Sequence, residues 1–286
     1  MSSILDNKEL KKALVVTLST AALLAASVGV YRAIHSPLFL VQVVEVTTQN
    51  ADQISVTQAE AVPGDPSSQP WTPVDADKIS DLASIPVGEV NLFDLDLKSV
   101  EKRILKNEWI REVKLQKRFP QTLSITAIFR EPKAILTAEN GTLAYVDSDG
   151  KAFGKVNLLS QSDLPMFHGF EGENQVELAS ALQLVSQWDK SSLGSLCHIQ
   201  SLSLDPERGY RVMVSYEISN PSGRHLLRAR IDLGREKEVL SEGKLFPEQV
   251  QRLTQVFEYL RHNSIAARQI YADAGKKIVV KTARGS

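Results

Sequence analysis

Cys197 is the chain's only cysteine, which excludes an intramolecular disulfide and any cluster of thiolate metal ligands. No basic cluster beside it favours the thiolate, so it reads as a small buried hydrophobe. Net charge is nearly absent too. The 33 Lys and Arg against 34 Asp and Glu leave −1, without the positive field that holds a phosphate backbone, so nucleic acid is not an expected partner. His35, His168, His198, His225 and His262 follow neither HxH nor HExxH spacing, and the GxSxG elbow and the GxxxxGK[ST] phosphate loop are both missing. Asp94 and Asp96 are a carboxylate pair that acid–base chemistry uses, yet Asp96 stands where a helix cap belongs. No enzyme activity, metal, cofactor or small-molecule substrate is expected; what is left is recognition.

What is present begins with Ala13 to Tyr31, 19 residues without a charge. As a helix they rise roughly 28 Å, the thickness of a bilayer core. The run is apolar on all sides, unlike the amphipathic helix of a soluble domain, and longer than a typical signal-peptide core. Lys8, Lys11 and Lys12 precede it and favour a cytoplasmic N-terminus. The expected order is a cytoplasmic tail over 1–12, a transmembrane helix over 13–34, and the rest outside the cytoplasm. A cleaved leader is the competing reading; it requires a mature N-terminus near Ala26.

Residues 35–131 read as a two-layer α+β domain. Phe39 to Val46 is a β-branched strand, and Thr47 to Asp77 a flexible insert with no Lys or Arg and prolines at 63, 66, 70 and 73. Trp71 is the one aromatic there on which a partner could dock. A short helix follows over Asp77 to Ile85, then a second over Leu97 to Lys106 capped by Asp96 and closed by Trp109 and Ile110. The stretch VKLQKRFPQTLSITAIFREPKA, from Val113, alternates as two strands on a turn at Pro120. Its expected core face is Val113, Leu115, Phe119, Leu123 and Ile125. Two helices then cover one side of a small sheet.

From 132 to 286 the pattern is that of a mainly antiparallel β domain with two helices. Asn140-Gly141 and Ser148-Asp149-Gly150 mark turns between short strands. Val176 to Trp188 is one helix; the other opens at Pro247, with Val250, Leu253, Val256, Phe257 and Leu260 as its stripe. Between them lies a hairpin of two long alternating strands, Tyr210 to Ile218 and Leu227 to Leu233. Ala267 to Ala272 and Lys276 to Lys281 supply two last strands. A terminal strand offers unpaired N–H and C=O groups to a partner, although the lysines flanking Ile278-Val279-Val280 also suit a solvated, protected edge.

LKSVEKRILKNEWIREVKLQKRFPQTLSITAIFREPKAIL, 97–136, resembles the FtsQ/DivIB family of bacterial cell-division proteins, in which a POTRA domain follows a membrane anchor. The residues that carry the likeness are Trp109-Ile110, then Val113, Leu115, Phe119, Pro120, Leu123 and Ile125, and Pro132-Lys133-Ala134. YVDSDGKAF (145–153), SDLPMFHG (162–169) and IDLGREKEV (231–239) extend it into the second domain. The chain departs from the family at Phe129, where Glu is frequent, at Arg268 to Tyr271, where the family has an I-D-L-R strand, and in the insert.

The resemblance implies a non-enzymatic, single-pass scaffold of the division machinery, held in the inner membrane and concentrated at the septum. It further implies that the last strands bind an FtsB-like segment of an FtsB/FtsL complex by strand addition. The positions that match are Ile270, Tyr271, Ala272, Asp273, Gly275, Lys276 and Ile278. Two other readings stay open: a POTRA protein that handles exported substrates, and a secreted binding protein. Against the first, too few alternating strands follow Pro132 for a membrane barrel.

Overall fold

The computed structural model describes residues 3–50, 75–138, 140–156, 163–220, 223–235, 239–241, 244–245, 247–272 and 277–282. The chain divides into two compact units, Met1–Phe129 and Arg130–Ser286.

In the first unit α1, Ser3–Ile34, contains a 23-residue segment, Lys12–Ile34, long and apolar enough to cross a membrane. Ser36 and Pro37 then start a 3-10 turn, Pro37–Phe39. This displaces the first strand from its expected place: β1 is Val43–Asn50, not Phe39 to Val46. Thr47–Asn50 pair with Thr126–Phe129, so the expected insert begins too early at Thr47. It also ends too late at Asp77, because α2 is Ala76–Ala83, with Asp75 accepting from Lys78 N at 2.9 Å as its cap. Residues 51–74, Trp71 among them, lie outside the described residues.

α3, Leu97–Ile104, starts as expected at Asp96, which accepts from Lys98 N at 3.0 Å. The Ser99 hydroxyl, 2.6 Å from the same carboxylate, holds its pKa below the ordinary value. A cap explains Asp96 completely. Arg103 donates through Nε and Nη2 to Ala83 O at 3.0 and 2.7 Å, satisfying the end of α2 from α3.

β2, Ile110–Arg118, and β3, Thr122–Phe129, form the hairpin, and β3 is central in the order β1-β3-β2, parallel to β1 and antiparallel to β2. Ile79, Ala83, Val100 and Ile104 pack on Leu123, Ile125, Ala127 and Phe129. One residue of the expected core face is misplaced: Phe119 is 52% exposed. It belongs to the turn, beyond the reach of the helices, and meets Phe93 and Phe39 instead.

The second unit opens with β4 (Ala134–Thr137), β5 (Leu143–Val146) and β6 (Ala152–Phe153). β7 (Met166–His168), α4 (Gln175–Lys190) and β8 (Cys197–Asp205) follow, then the long hairpin β9 (Gly209–Asn220) and β10 (Gly223–Gly234). A minimal ribbon, β11 (Leu240–Ser241) and β12 (Lys244–Leu245), precedes α5, Pro247–His262. β13, Ala267–Tyr271, and β14, Val279–Thr282, end the sheet, the last strand starting three residues later than expected.

Nine strands run in the order β14-β13-β10-β9-β8-β7-β4-β5-β6. Most neighbours are antiparallel, but β4/β7, β7/β8 and β10/β13 are parallel. Two of these pairs require their helices: α4 carries the chain from β7 to β8, and α5 from β10 to β13. Leu178, Ala181, Leu184 and Trp188 of α4 share one core with Leu253, Phe257 and Leu260 of α5 and the inner face of the sheet. Cys197 lies in that core, its thiol pushed up to about 12 by burial.

The D-x-x-G-x-x-F stretch is a fastener. Asp147 pairs with Arg130 and accepts from Asp149 N and Lys151 N at 3.0 and 2.9 Å. Gly150 has φ +77, and a Cβ there would lie 2.5 Å from Gln175 O and 2.7 Å from Ala179 N, both backbone atoms of α4. Phe153, 4% exposed, packs on Tyr145.

Candidate partner-binding edge

β14 hydrogen-bonds to one strand, β13, with Ile270 opposite Val280 and Tyr271 opposite Val279. It stands at the end of the strand order, so among the described residues no strand covers its outer side. Its side chains alternate: Ile278 and Val280 are half-buried against the core, while Val279, Lys281 and Thr282 are exposed.

Two buried polar side chains set the position of β13. The Tyr216 hydroxyl accepts from Ala267 N at 2.7 Å and donates to Ala267 O at 3.3 Å, fixing where the strand starts. Burial raises the pKa of this phenol. At the other end, Gln249, from the first turn of α5, donates through Nε2 to Leu233 O at 3.1 Å and to Ala272 O at 3.4 Å. Ala272 N also donates to Asp232 O at 2.8 Å. Gln249→Leu leaves these two carbonyls without their side-chain donor, at a cost of about 1–3 kcal/mol. Native-state hydrogen exchange should then quicken in 267–272 and 279–282 ahead of β8 and β9; uniform exchange throughout the sheet would contradict this role.

On the sheet face away from α5 runs a polar chain. Arg211 Nε lies 2.9 Å from Asp232 Oδ1, Gln269 Nε2 donates to Asp232 Oδ2 at 2.8 Å, and Lys281 Nζ reaches the Tyr271 hydroxyl at 3.1 Å. On the other face a groove of about 380 Å³ opens between β14 and α5, lined among others by Val256, Tyr259, Leu260, Ile265, Ile278 and Val280. Tyr259 is 61% exposed at its rim.

Of the residues singled out from sequence, Ile270, Tyr271, Ala272 and Ile278 come together at this corner. Asp273, Gly275 and Lys276 lie outside the described residues. Sequence reasoning missed Gln249, Tyr216 and Tyr259 as parts of this corner, and placed Val256 only in the stripe of α5. The signal was present for Tyr259: with Val256 it widens the apolar arc of α5 beyond what the sheet covers.

Residues 72–126 match the family model described as "POTRA domain, FtsQ-type". The chain is 28% identical over 220 residues to the Cell division protein FtsQ of Geobacter sp. (strain M21), covering 74% of this chain and 73% of that protein. It is 30% identical over 127 residues to the protein of the same name from Syntrophotalea carbinolica, with 42% of this chain and 44% of that one covered. Against the Myxococcus fulvus protein the figures are 29% over 168 residues, 54% and 58%. The fold and the family model define an α+β protein that carries a POTRA domain. Within that class, the domain over 72–126 is similar to the FtsQ-type POTRA domain, in line with the resemblance seen in 97–136.

Proposed function

We propose that this chain is a non-enzymatic, single-pass cell-division protein that recruits and bridges septal division proteins, and that it binds an FtsB/FtsL-type complex by adding a strand to β14. The observation that carries the reading is the outer side of β14, covered by no strand among the described residues, beside an apolar groove. An extended peptide there gains main-chain hydrogen bonds, and its alternate side chains enter the groove beside Tyr259 or lie over Tyr271 and Lys281. Ile270 and Ala272 shape the strand from beneath. The resemblance adds Asp273, Gly275 and Lys276, which lie in sequence between β13 and β14, to the proposed contacts.

The cell-division role comes from the names of the relatives, and the membrane role from α1. With lysines at 8, 11 and 12, the N-terminus is cytoplasmic and the chain beyond Ile34 lies on the periplasmic side of the inner membrane. The first unit engages other membrane-embedded division proteins and directs the chain to the septum.

Depletion of the protein in its own bacterium is the test. Filaments without septa, a midcell signal from a tagged copy, and co-purification of an FtsB-type protein with the full chain are the expected results. Normal division during depletion, with no midcell signal, contradicts the reading.

A further inference from the structure

The exit of α1 into the first unit is tied down. Asn91, 9% exposed, donates from Nδ2 to Ile34 O at 2.8 Å and accepts from Phe93 N at 2.9 Å through Oδ1. Leu92 N donates to Phe39 O at 2.8 Å, Val41 N to Val90 O at 2.9 Å, and Gly88 N to Val41 O at 2.7 Å. His35 Nε2 lies 3.6 Å from Asp94 Oδ2. The last turn of the helix, the 3-10 turn and the loop of residues 86–95 are therefore stitched together, although only two residues, His35 and Ser36, separate helix from turn.

Apolar rings collect at this junction. The Phe39, Phe93 and Phe119 centroids lie 5.1, 4.7 and 6.2 Å apart in the pairs 39–93, 93–119 and 39–119. Phe93 is 43% exposed, Phe119 52%, and Leu38 64%. Lys117 Nζ donates to Phe93 O at 3.1 Å, and Arg32 stands in the last turn of α1, so cations border the rings. Aromatic bodies with basic tips beside them, at the end of an apolar span, match the chemistry of the bilayer–water interface.

We propose that Phe39, Phe93 and Phe119 sink into the headgroup–acyl boundary of the bilayer that α1 crosses, holding the POTRA unit against the membrane in one orientation. Lipid is the occupant because the rings begin five residues past Ile34 and Asn91, two residues from Phe93, is hydrogen-bonded to the helix end. The inference rests on the reading of α1 as a spanning helix, and its test separates the two.

The full chain is reconstituted in phosphatidylcholine–phosphatidylglycerol vesicles, with one spin label at Ala21→Cys, Phe119→Cys or Glu112→Cys; the native Cys197 is buried. Glu112 is exposed on β2 about 20 Å along the strand from Phe119. Collision with oxygen, which concentrates in acyl chains, is compared with collision with a water-soluble nickel chelate. The expected order of depth is Ala21 deepest, Phe119 near the interface and Glu112 in water. A label at 119 as nickel-accessible as that at 112, with Ala21 deep, overturns the proposal and leaves the anchor standing. A label at 119 shielded from both reagents signals a protein contact, from a second copy or a partner, and also overturns it. Nickel access at Ala21 overturns the anchor and the proposal together.

Discussion

Val279→Pro and Val280→Pro, made separately, are expected to split partner capture from folding. In an antiparallel edge strand, consecutive residues point their N–H and C=O groups to opposite sides, so one of these two faces β13 and the other faces out. Proline at the outward-facing position leaves the β13 ladder whole, removes a donor and places its ring in the path of the incoming strand. The lost bond and the unpaired acceptor on the partner amount to about 2 kcal/mol or more, roughly a 30-fold loss of affinity. Proline at the other position breaks a bond to β13 and lowers the stability of the corner itself. Co-purification of an FtsB-type partner, measured beside thermal unfolding of each variant, reads both effects. Two folded variants with undiminished capture would remove strand addition as the mechanism.

The second large effect belongs to Asp147, whose side chain is 2% exposed and paired with Arg130, itself 10% exposed. Asp147→Ala breaks the buried pair with Arg130 and removes the acceptor of Asp149 N and Lys151 N, at a cost of roughly 3–5 kcal/mol. Asp147→Asn keeps an acceptor for the two backbone groups and gives up the charge, so it should fall between wild type and Ala. Chemical denaturation of the full chain, followed by a probe in the second unit, gives the ranking. An Ala variant within about 1 kcal/mol of wild type would contradict this role of the pair.

Asp147 shows how a motif legible in sequence acquires its reason only in three dimensions. Asp147, Gly150 and Phe153 carried a family resemblance, yet nothing in their spacing told that the turn lies on the backbone of α4. Phe119 shows the opposite case. Strand alternation assigned it to the core, but alternation holds only within a strand, and Phe119 is past the end of β2. Pro37 misled in a similar way: a β-branched run follows it, and its fixed φ instead began a 3-10 turn that moved β1 downstream.

Capping and periodicity are local, so residues a few positions apart were enough to determine the apolar run of α1, the start of α3 at Asp96, the helices α4 and α5, and the long β9–β10 hairpin. The order of the strands was left to the tertiary structure. Strands are joined laterally through N–H and C=O groups that every residue except proline carries, so side-chain pattern tells which face is buried but not which strand lies beside which. The parallel pairs that α4 and α5 connect, the grip of Tyr216 and Gln249 on β13, and the place of β14 at the end of the described strand order were all settled by packing between segments far apart in the chain.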